Sequence, residues 1–399
     1  MSDRKIKICF LHPWIKDIND VLKLLCIRDM PIAERFELDD KFPDYVIATD
    51  YVISDPEYVK KFRNLVWKNK YGADPIRIFW TEECISPDFN IFDYAVCWNW
   101  KMKYLDRVAR IPPHIFIGDN MTEKSNHLSF NEAKKILEND ERGFCSFIYS
   151  NPNANPKRDE LFYALSGYKH IVSPGRHLNN TGELINNDNK ANETKEGLGR
   201  GGKATWQEIS IMLKSRYKFS IAAENAKSDG YTSEKLLTSF LAHTVPVYWG
   251  NPYVAEEYNP EAFINCHDYD SLDGVVKRVK QIDQDDDLWA YMVSQPWQTE
   301  EQQMISEADY EKYKKFIINI FSQPIDKARR RTAGTWTNSY ASWFFDRVLV
   351  RKKVPFLIRL VRFMFNTDKI LNPTWWRIKL NSLLGREISI EELIKEKKI

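Results

Sequence analysis

The sequence has 399 residues and a formal net charge of +2, with 43% hydrophobic and 29% charged residues. This length predicts two domains, with three as the alternative, and excludes a single small module. The composition is typical of a globular protein and excludes a disordered chain.

The N-terminal residues and the hydropathy of the chain bear on its location. No apolar run reaches the ~18–20 residues of a membrane-spanning helix, and the first residues lack the apolar core of a signal peptide. We therefore expect a cytoplasmic protein.

Short apolar runs recur through the first part of the chain. They predict strands at Ile6–Leu11, Asp44–Ala48, Ile76–Trp80 and Tyr94–Trp98. Between two of them, Asp55 and Pro56 read as an N-cap and a first-turn proline that open a helix. Alternating strands and helices predict a parallel sheet.

The same alternation continues after a boundary that we expect near residues 120–142. The pattern predicts helices at 131–139, 159–166, 206–214, 233–242 and 270–282, and strands at 144–149, 169–172, 218–223 and 245–248. Two such domains normally leave a ligand cleft between the carboxyl ends of their strands. The polar segment Asn179–Lys203 is either a mobile loop over that cleft or an inert surface excursion.

The stretch Tyr217–Pro252 is the most informative. It reads as a buried strand, a polar loop ending in Gly230, a helix capped by Thr232 or Ser233, and a second buried strand. Free N–H groups at the start of a helix attract anions, and Lys235 in the first turn adds a full charge. A nucleoside diphosphate is the candidate ligand.

Three motifs in this order carry a family resemblance. Glu224-Asn225, Gly230-Tyr231-x-x-Glu234-Lys235 and Val245–Gly250 resemble the donor-binding signature of glycosyltransferase family 10, the α-1,3/4-fucosyltransferases. Ser150–Ala154 followed by Arg158 resembles the entry loop of the family's second domain, with one extra residue before the arginine. Arg77–Ala95 resembles its acceptor-domain segment. The resemblance runs from about residue 5 to 320 and is closer to bacterial members.

The resemblance implies an α/β fold of the GT-B type, in which two Rossmann-like domains face each other across a cleft. We predict an acceptor-binding domain at residues 1–138, a domain that binds GDP-fucose at 139–326, and a basic amphipathic helical tail at 327–399. The implied activity is an inverting α-1,3-fucosyltransferase acting on a GlcNAc-containing glycan, either an oligosaccharide or a lipid-linked surface polysaccharide. It needs no obligatory metal, although stimulation by Mn²⁺ or Mg²⁺ is left open.

The resemblance also implies roles for single residues. Glu83 matches the family's catalytic base, while Arg158 and Lys235 would neutralise the departing diphosphate. Asn225, Tyr231 and Glu234 fall at donor-contacting positions, whereas Glu224 is either a donor contact or a structural residue. Glu82 occupies a position where relatives can carry glycine. Because adjacent strand residues face opposite sides, we expect only one of Glu82 and Glu83 to face the cleft.

Two other features suggest alternatives. Asp283–Asp287 contains Asp-x-Asp pairs of the kind that hold Mn²⁺ in other transferases, although a solvated helix end explains them better. Residues 327–386 hold 14 Lys and Arg against two Asp, a net charge of +12, which leaves −10 for the rest of the chain. This tail predicts peripheral contact with an anionic membrane surface, on the inner face of the cytoplasmic membrane, or packing across both domains.

The remaining alternatives concern the activity itself. They are a transferase that uses another GDP-sugar and a non-catalytic module that binds a membrane surface or nucleic acid. We expect no nucleic-acid partner, because no aromatic and basic RNA-binding signature lies within the predicted domains.

Overall fold

The computed structural model describes residues 4–67, 74–110, 128–139, 141–182 and 206–349. Two parallel sheets and their helices belong to one compact unit that ends at Thr337, and a second unit begins at Asn338. Most of the segment Asn179–Lys203, and everything in the predicted tail beyond residue 349, lie outside the described residues. No helix in the described ranges is long and apolar enough to span a membrane.

The first sheet has six parallel strands, in the order β2-β1-β3-β4-β5-β6. Its strands are β1 Ile6–Leu11, β2 Phe36–Leu38, β3 Tyr45–Ala48, β4 Ile76–Trp80, β5 Tyr94–Cys97 and β6 Val108–Arg110. Its helices are α1 Ile18–Leu24, α2 Tyr51–Ser54 and α3 Pro56–Val66, with a 3₁₀ turn at Pro31–Arg35. Helix α3 begins as predicted, because the Asp55 carboxylate accepts the Glu57 N–H at 2.8 Å.

The second sheet has five parallel strands, in the order β11-β10-β9-β7-β8. The strands are β7 Gly143–Ser146, β8 Ile171–Val172, β9 Tyr217–Ala223, β10 Val245–Trp249 and β11 Ile264–Asn265. Its helices are α4 Phe130–Asn139, α5 Lys157–Ser166, α6 Trp206–Lys214, α7 Glu234–Leu241, α8 Leu272–Asp283 and α9 Asp286–Ser294. The prediction of two Rossmann-like halves is confirmed.

After the second sheet, the chain returns to the first. Helix α10, Glu300–Ser322, buries Tyr313, Ile317, Ile320 and Phe321 in the core of the first sheet, although it lies within the range 139–326 predicted for the second domain. The Tyr45 hydroxyl donates to the Ile320 carbonyl at 3.3 Å. The sequence span 139–326 therefore contributes to both cores, and the helix ties the two halves together.

The beginning of the predicted tail also lies on the first half. After the short helix α11, Ile325–Ala328, three consecutive arginines pair with acids near the first sheet. Arg329 contacts Asp74 at 2.5 Å, Arg330 contacts Asp106 at 2.6 Å, and Arg331 contacts the buried Asp93 at 2.8 Å. These ion pairs attach the segment after α11 to the first half of the molecule. Helix α12, Thr335–Trp343, follows, and a π-helical turn at Phe344–Val348 ends the described chain.

Candidate active site

The carboxyl ends of strands from both sheets line a cavity of about 400 Å³. All six of the residues predicted for the site border it, namely Glu83, Arg158, Asn225, Tyr231, Glu234 and Lys235. Ligands of open α/β sheets bind at this edge, because the loops that follow the strands are free to carry polar side chains. The cavity is therefore the candidate active site, and the role of each residue stays a prediction.

The loop between β9 and α7 is organised around one buried acid. Glu224 is fully buried and accepts the Ser233 N–H and the Ser233 hydroxyl, each at 2.7 Å. Ser233 in turn N-caps α7, which decides between the two predicted caps. Of the two roles left open for Glu224, the structure supports the structural one, since its oxygens tie the loop to the start of the helix.

Lys235 lies at the start of α7, where three side-chain oxygens surround its ammonium group. Its Nζ donates to the Ser233 hydroxyl at 2.8 Å and to Glu224 at 3.3 Å, and it lies 3.6 Å from a Glu234 oxygen. Burial works against the charge, but the two acids raise the pKa of Lys235 above its usual value. Burial likewise opposes ionisation of Glu234, yet attraction to Lys235 leaves its pKa below the usual value. The lysine is thus a fixed cation at a helix N-terminus.

Arg158 is held in place by contacts on several sides. Its guanidinium carbon lies 4.5 Å from the centre of the Tyr149 ring, and Nη1 donates to the Asn225 amide oxygen at 3.2 Å. Nη2 donates to the Asn151 carbonyl, and Nε has no hydrogen-bond partner among the described residues, with Asp159 nearest at 3.9 Å. An arginine carries five N–H donors, so this one keeps capacity for an anion.

Tyr231 joins the two halves of the molecule across the cavity. The preceding Gly230 has φ of +83°, and a Cβ there would lie 2.7 Å from the Trp98 carbonyl oxygen, so only glycine fits. The buried Tyr231 then donates its hydroxyl to a Glu83 oxygen at 3.3 Å. The tight approach at Gly230 therefore sets the position of a residue that bonds the predicted base.

Glu82 and Glu83 both line the cavity, so the expectation that only one acid faces it is wrong. Strand β4 ends at Trp80, and the two acids follow it in a turn in which the Thr81 hydroxyl accepts the Glu83 N–H at 3.0 Å. Strand alternation no longer applies there. Surrounding protein raises the pKa of Glu82 to about 7, helped by the charges of Glu234 and Glu83.

The pKa of Glu83 is also raised, with four charged or polar neighbours contributing. Burial is the main cause and the charges of Asp50 and Glu234 add to it, whereas Lys235 and the Tyr231 hydrogen bond act in the opposite direction. A base must be ionised to accept a proton, and these two contacts favour that form.

Two features of the site have no signal in the sequence. Lys214 lines the cavity with its Nζ bonded to the Lys235 carbonyl at 2.9 Å and to the Thr238 hydroxyl at 2.7 Å, and burial lowers its pKa to about 7. Arg110 forms a bidentate ion pair with Glu257 at 2.7 and 2.9 Å, and it donates to the Gly230 carbonyl at 3.0 Å. Only the folded chain brings these groups together.

The acidic run Asp283–Asp287 has ordinary structural partners. Asp283 accepts the Tyr168 hydroxyl at 3.0 Å, Asp285 N-caps α9, and Asp286 pairs with Lys218 at 3.0 Å. These contacts agree with the helix-end interpretation. Within the part of the chain that the structure describes, no group of three or more His, Cys, Asp or Glu side chains is arranged to hold a metal ion.

Comparison with known proteins identifies the chain's relatives. The family model "Glycosyltransferase family 10 (fucosyltransferase) C-term" matches residues 139–320, and "Alpha-(1,3)-fucosyltransferase FucT N-terminal domain" matches residues 45–117. The α-(1,3)-fucosyltransferase FucT of Helicobacter pylori is 28% identical over an alignment of 276 residues, and the match covers 60% of this chain and 52% of that protein. The chain thus spans about half the length of this curated relative.

Solved structures agree with this fold. A crystal structure of an α1,3-fucosyltransferase matches with a TM-score of 0.58 and 24% identity, covering 80% of this chain and 91% of the other. A crystal structure of an α1,3-fucosyltransferase with GDP-fucose matches with a TM-score of 0.53 and 23% identity, covering 79% and 91%. The solved structures show the shared fold, and the two family models, which together match more than half of the chain, show that it belongs to glycosyltransferase family 10, the fucosyltransferases.

Proposed function

We propose that the chain is an inverting α-1,3-fucosyltransferase that moves fucose from GDP-fucose to a GlcNAc-containing glycan. One observation carries this proposal: a carboxylate from the first half, Glu83, lies in the same cavity as the cations of the second half, and Tyr231 joins the two at 3.3 Å. Family membership and the GDP-fucose in a structural neighbour support the choice of donor.

Each half of the cavity supplies one side of the reaction. Glu83 takes the proton from an acceptor hydroxyl while that oxygen bonds to C1 of the sugar. The bond from C1 to the diphosphate breaks, and its electron pair leaves with GDP. Lys235 and the N-terminus of α7 stabilise the added negative charge without reorganising, because Glu224 and Ser233 already fix the lysine.

Inversion follows if the acceptor oxygen attacks C1 directly. A retaining route would need a carboxylate nucleophile next to the donor sugar. Glu234 is an acid of the second half that lines the cavity, and its ion pair with Lys235 makes it a weak nucleophile. Glu224 is occupied by Ser233 and Lys235. The arrangement therefore favours a single displacement.

A donor screen tests the proposal. The protein is incubated with N-acetyllactosamine and GDP-fucose, GDP-mannose or UDP-sugars, and release of the nucleoside diphosphate is followed. We expect GDP-fucose to react fastest and NMR of the product to show an α-fucoside at O3 of GlcNAc. Faster reaction with GDP-mannose would favour another GDP-sugar as the donor, and reaction with UDP-sugars alone would overturn the proposal.

Substituting two neighbours of Glu83 should shift the pH profile of activity in opposite directions. Activity should be lost as the pH falls through the pKa of Glu83, since only the ionised form accepts a proton. Asp50→Asn removes a charge that raises this pKa, so the acid limb of kcat/KM should move to lower pH. Tyr231→Phe removes a hydrogen bond that lowers it, so that limb should move to higher pH. Shifts of both variants in the same direction would contradict the assignment of Glu83.

We further propose that the chain is cytoplasmic and binds the inner face of the membrane peripherally through its C-terminal residues. Arg329, Arg330 and Arg331 are engaged by acids of the first half, so the binding charge must come from residues after them. Truncation after Lys353 should abolish sedimentation with anionic liposomes and leave activity on a soluble acceptor. Unfolding of the truncated protein would instead support the alternative that the tail braces the domains.

A further inference from the structure

An aromatic cluster lies beside the predicted base, at the carboxyl edge of the first sheet. It consists of His12 and Trp14, which follow β1, and Tyr51, which begins α2 after β3. The strand register aligns the carboxyl ends of β1, β3 and β4. Leu11 pairs with Ala48, and Ala48 pairs with Phe79, one residue before the end of β4. The cluster and Glu83 therefore occupy successive positions along the same edge.

The rings contact one another edge to face. The His12 ring centre lies 5.1 Å from that of Trp14 and 5.0 Å from that of Tyr51. Tyr51 and His12 are half-buried, but 67% of Trp14 is exposed. The histidine thus packs against a tryptophan whose ring is largely exposed, so that its apolar face is accessible to a ligand.

His12 adds a hydrogen-bond donor to this surface. Its Nδ1 accepts the Trp14 N–H at 3.2 Å, which leaves the ring proton on Nε2 in the neutral form. Burial lowers the pKa of His12 to about 4, so the ring is neutral at physiological pH. No residue in the described ranges accepts the Nε2 proton.

The spacing of the strands separates the start of the cluster from the predicted base. Burial raises the pKa of Tyr51, and the charges of Asp50 and Glu83 add to this effect. Strands β1 and β4 are two strand spacings apart, about 10 Å. A single sugar whose hydroxyl contacts Glu83 does not extend over the whole of that distance, whereas a chain of sugars does.

We propose that His12, Trp14 and Tyr51 form an acceptor subsite that binds a sugar ring at least one residue away from the ring that receives fucose. The apolar face of that sugar lies on Trp14, and one of its hydroxyl oxygens accepts the His12 Nε2 proton. This inference rests on the proposed function. Its occupant is part of the acceptor glycan, because the subsite is continuous with Glu83 along one sheet edge.

A series of acceptors of increasing length tests the subsite. The kcat/KM for GlcNAc is compared with the values for one, two and three N-acetyllactosamine repeats at saturating GDP-fucose. In the unmodified protein, kcat/KM should rise with length. In Trp14→Ala, the ratio of the longest acceptor to GlcNAc should fall by about tenfold, as expected from a lost apolar contact. Trp14→Phe should restore most of it, and the loss should lie in KM.

Two controls separate this subsite from a structural effect. Trp336→Ala is the matched control, because Trp336 is 89% exposed. This variant should leave the dependence of kcat/KM on acceptor length unchanged. Thermal unfolding and GDP binding by calorimetry report on the fold of each variant. An equal loss on all acceptors in Trp14→Ala, or no rise with length in the unmodified protein, would overturn the subsite. Absence of any fucose transfer by the unmodified protein would overturn the proposed function instead.

Discussion

Replacing Glu83 with glutamine should lower kcat by about 10²–10⁴, the range expected when a general base is lost. The substitution keeps the shape of the side chain and a hydrogen-bond acceptor for Tyr231, which donates to it at 3.3 Å. Affinity for GDP should change by no more than a few-fold, because the diphosphate cations lie on the other half of the cavity. Single-turnover kinetics and calorimetry measure the two quantities separately.

Glu82→Gln is the matched control, since both acids line the cavity and follow β4. The pKa of Glu82 is raised to about 7 by burial and by neighbouring acids, whereas Lys235 and the Tyr231 hydroxyl favour the ionised form of Glu83. We expect its replacement to change turnover far less than the Glu83 variant does. A larger loss from Glu82→Gln would transfer the role of base to Glu82.

Local signals in the sequence predicted the starts of two helices, one in each half of the molecule. Asp55 before Pro56 predicted the start of α3, and Ser233 was one of two predicted caps of α7. Each signal depends on side-chain bonds to N–H groups within a few residues, so it can be read from the sequence. Strands β2, β6 and β11 were not predicted, because runs of two or three residues carry no recognisable period.

The remaining features depend on contacts between distant residues. Arg110 and Glu257 meet across the two halves, and Lys214 donates to Thr238 on a different helix. Tyr45 contacts the helix α10 carbonyl of Ile320 although 275 positions separate them. No local pattern contains this information. The error over Glu82 had a different cause, since strand alternation was applied to two acids that lie beyond the predicted and observed end of β4 at Trp80.

The diphosphate site should depend on Lys235 and Arg158 for different reasons. Lys235 supplies a fixed charge at the start of α7, where Glu224 and Ser233 hold it. Arg158 supplies N–H donors in a plane set by Tyr149 and Asn225. Arg158→Lys keeps the charge and loses that planar arrangement, so it should bind GDP more weakly than the unmodified protein.

Lys235→Ala and Arg158→Ala should each weaken GDP binding by about 1.5–3 kcal/mol, or roughly 10- to 150-fold in Kd, the cost of a lost charged hydrogen bond. Lys157→Ala is the control, because Lys157 is half-exposed and pairs with Glu160 at 2.8 Å on the surface. Lys235→Ala should also lower the free energy of unfolding, since it leaves the buried Glu224 without its cation. Urea unfolding therefore accompanies the calorimetry. Folded variants that bind GDP with unchanged affinity would remove the diphosphate from this end of the cavity.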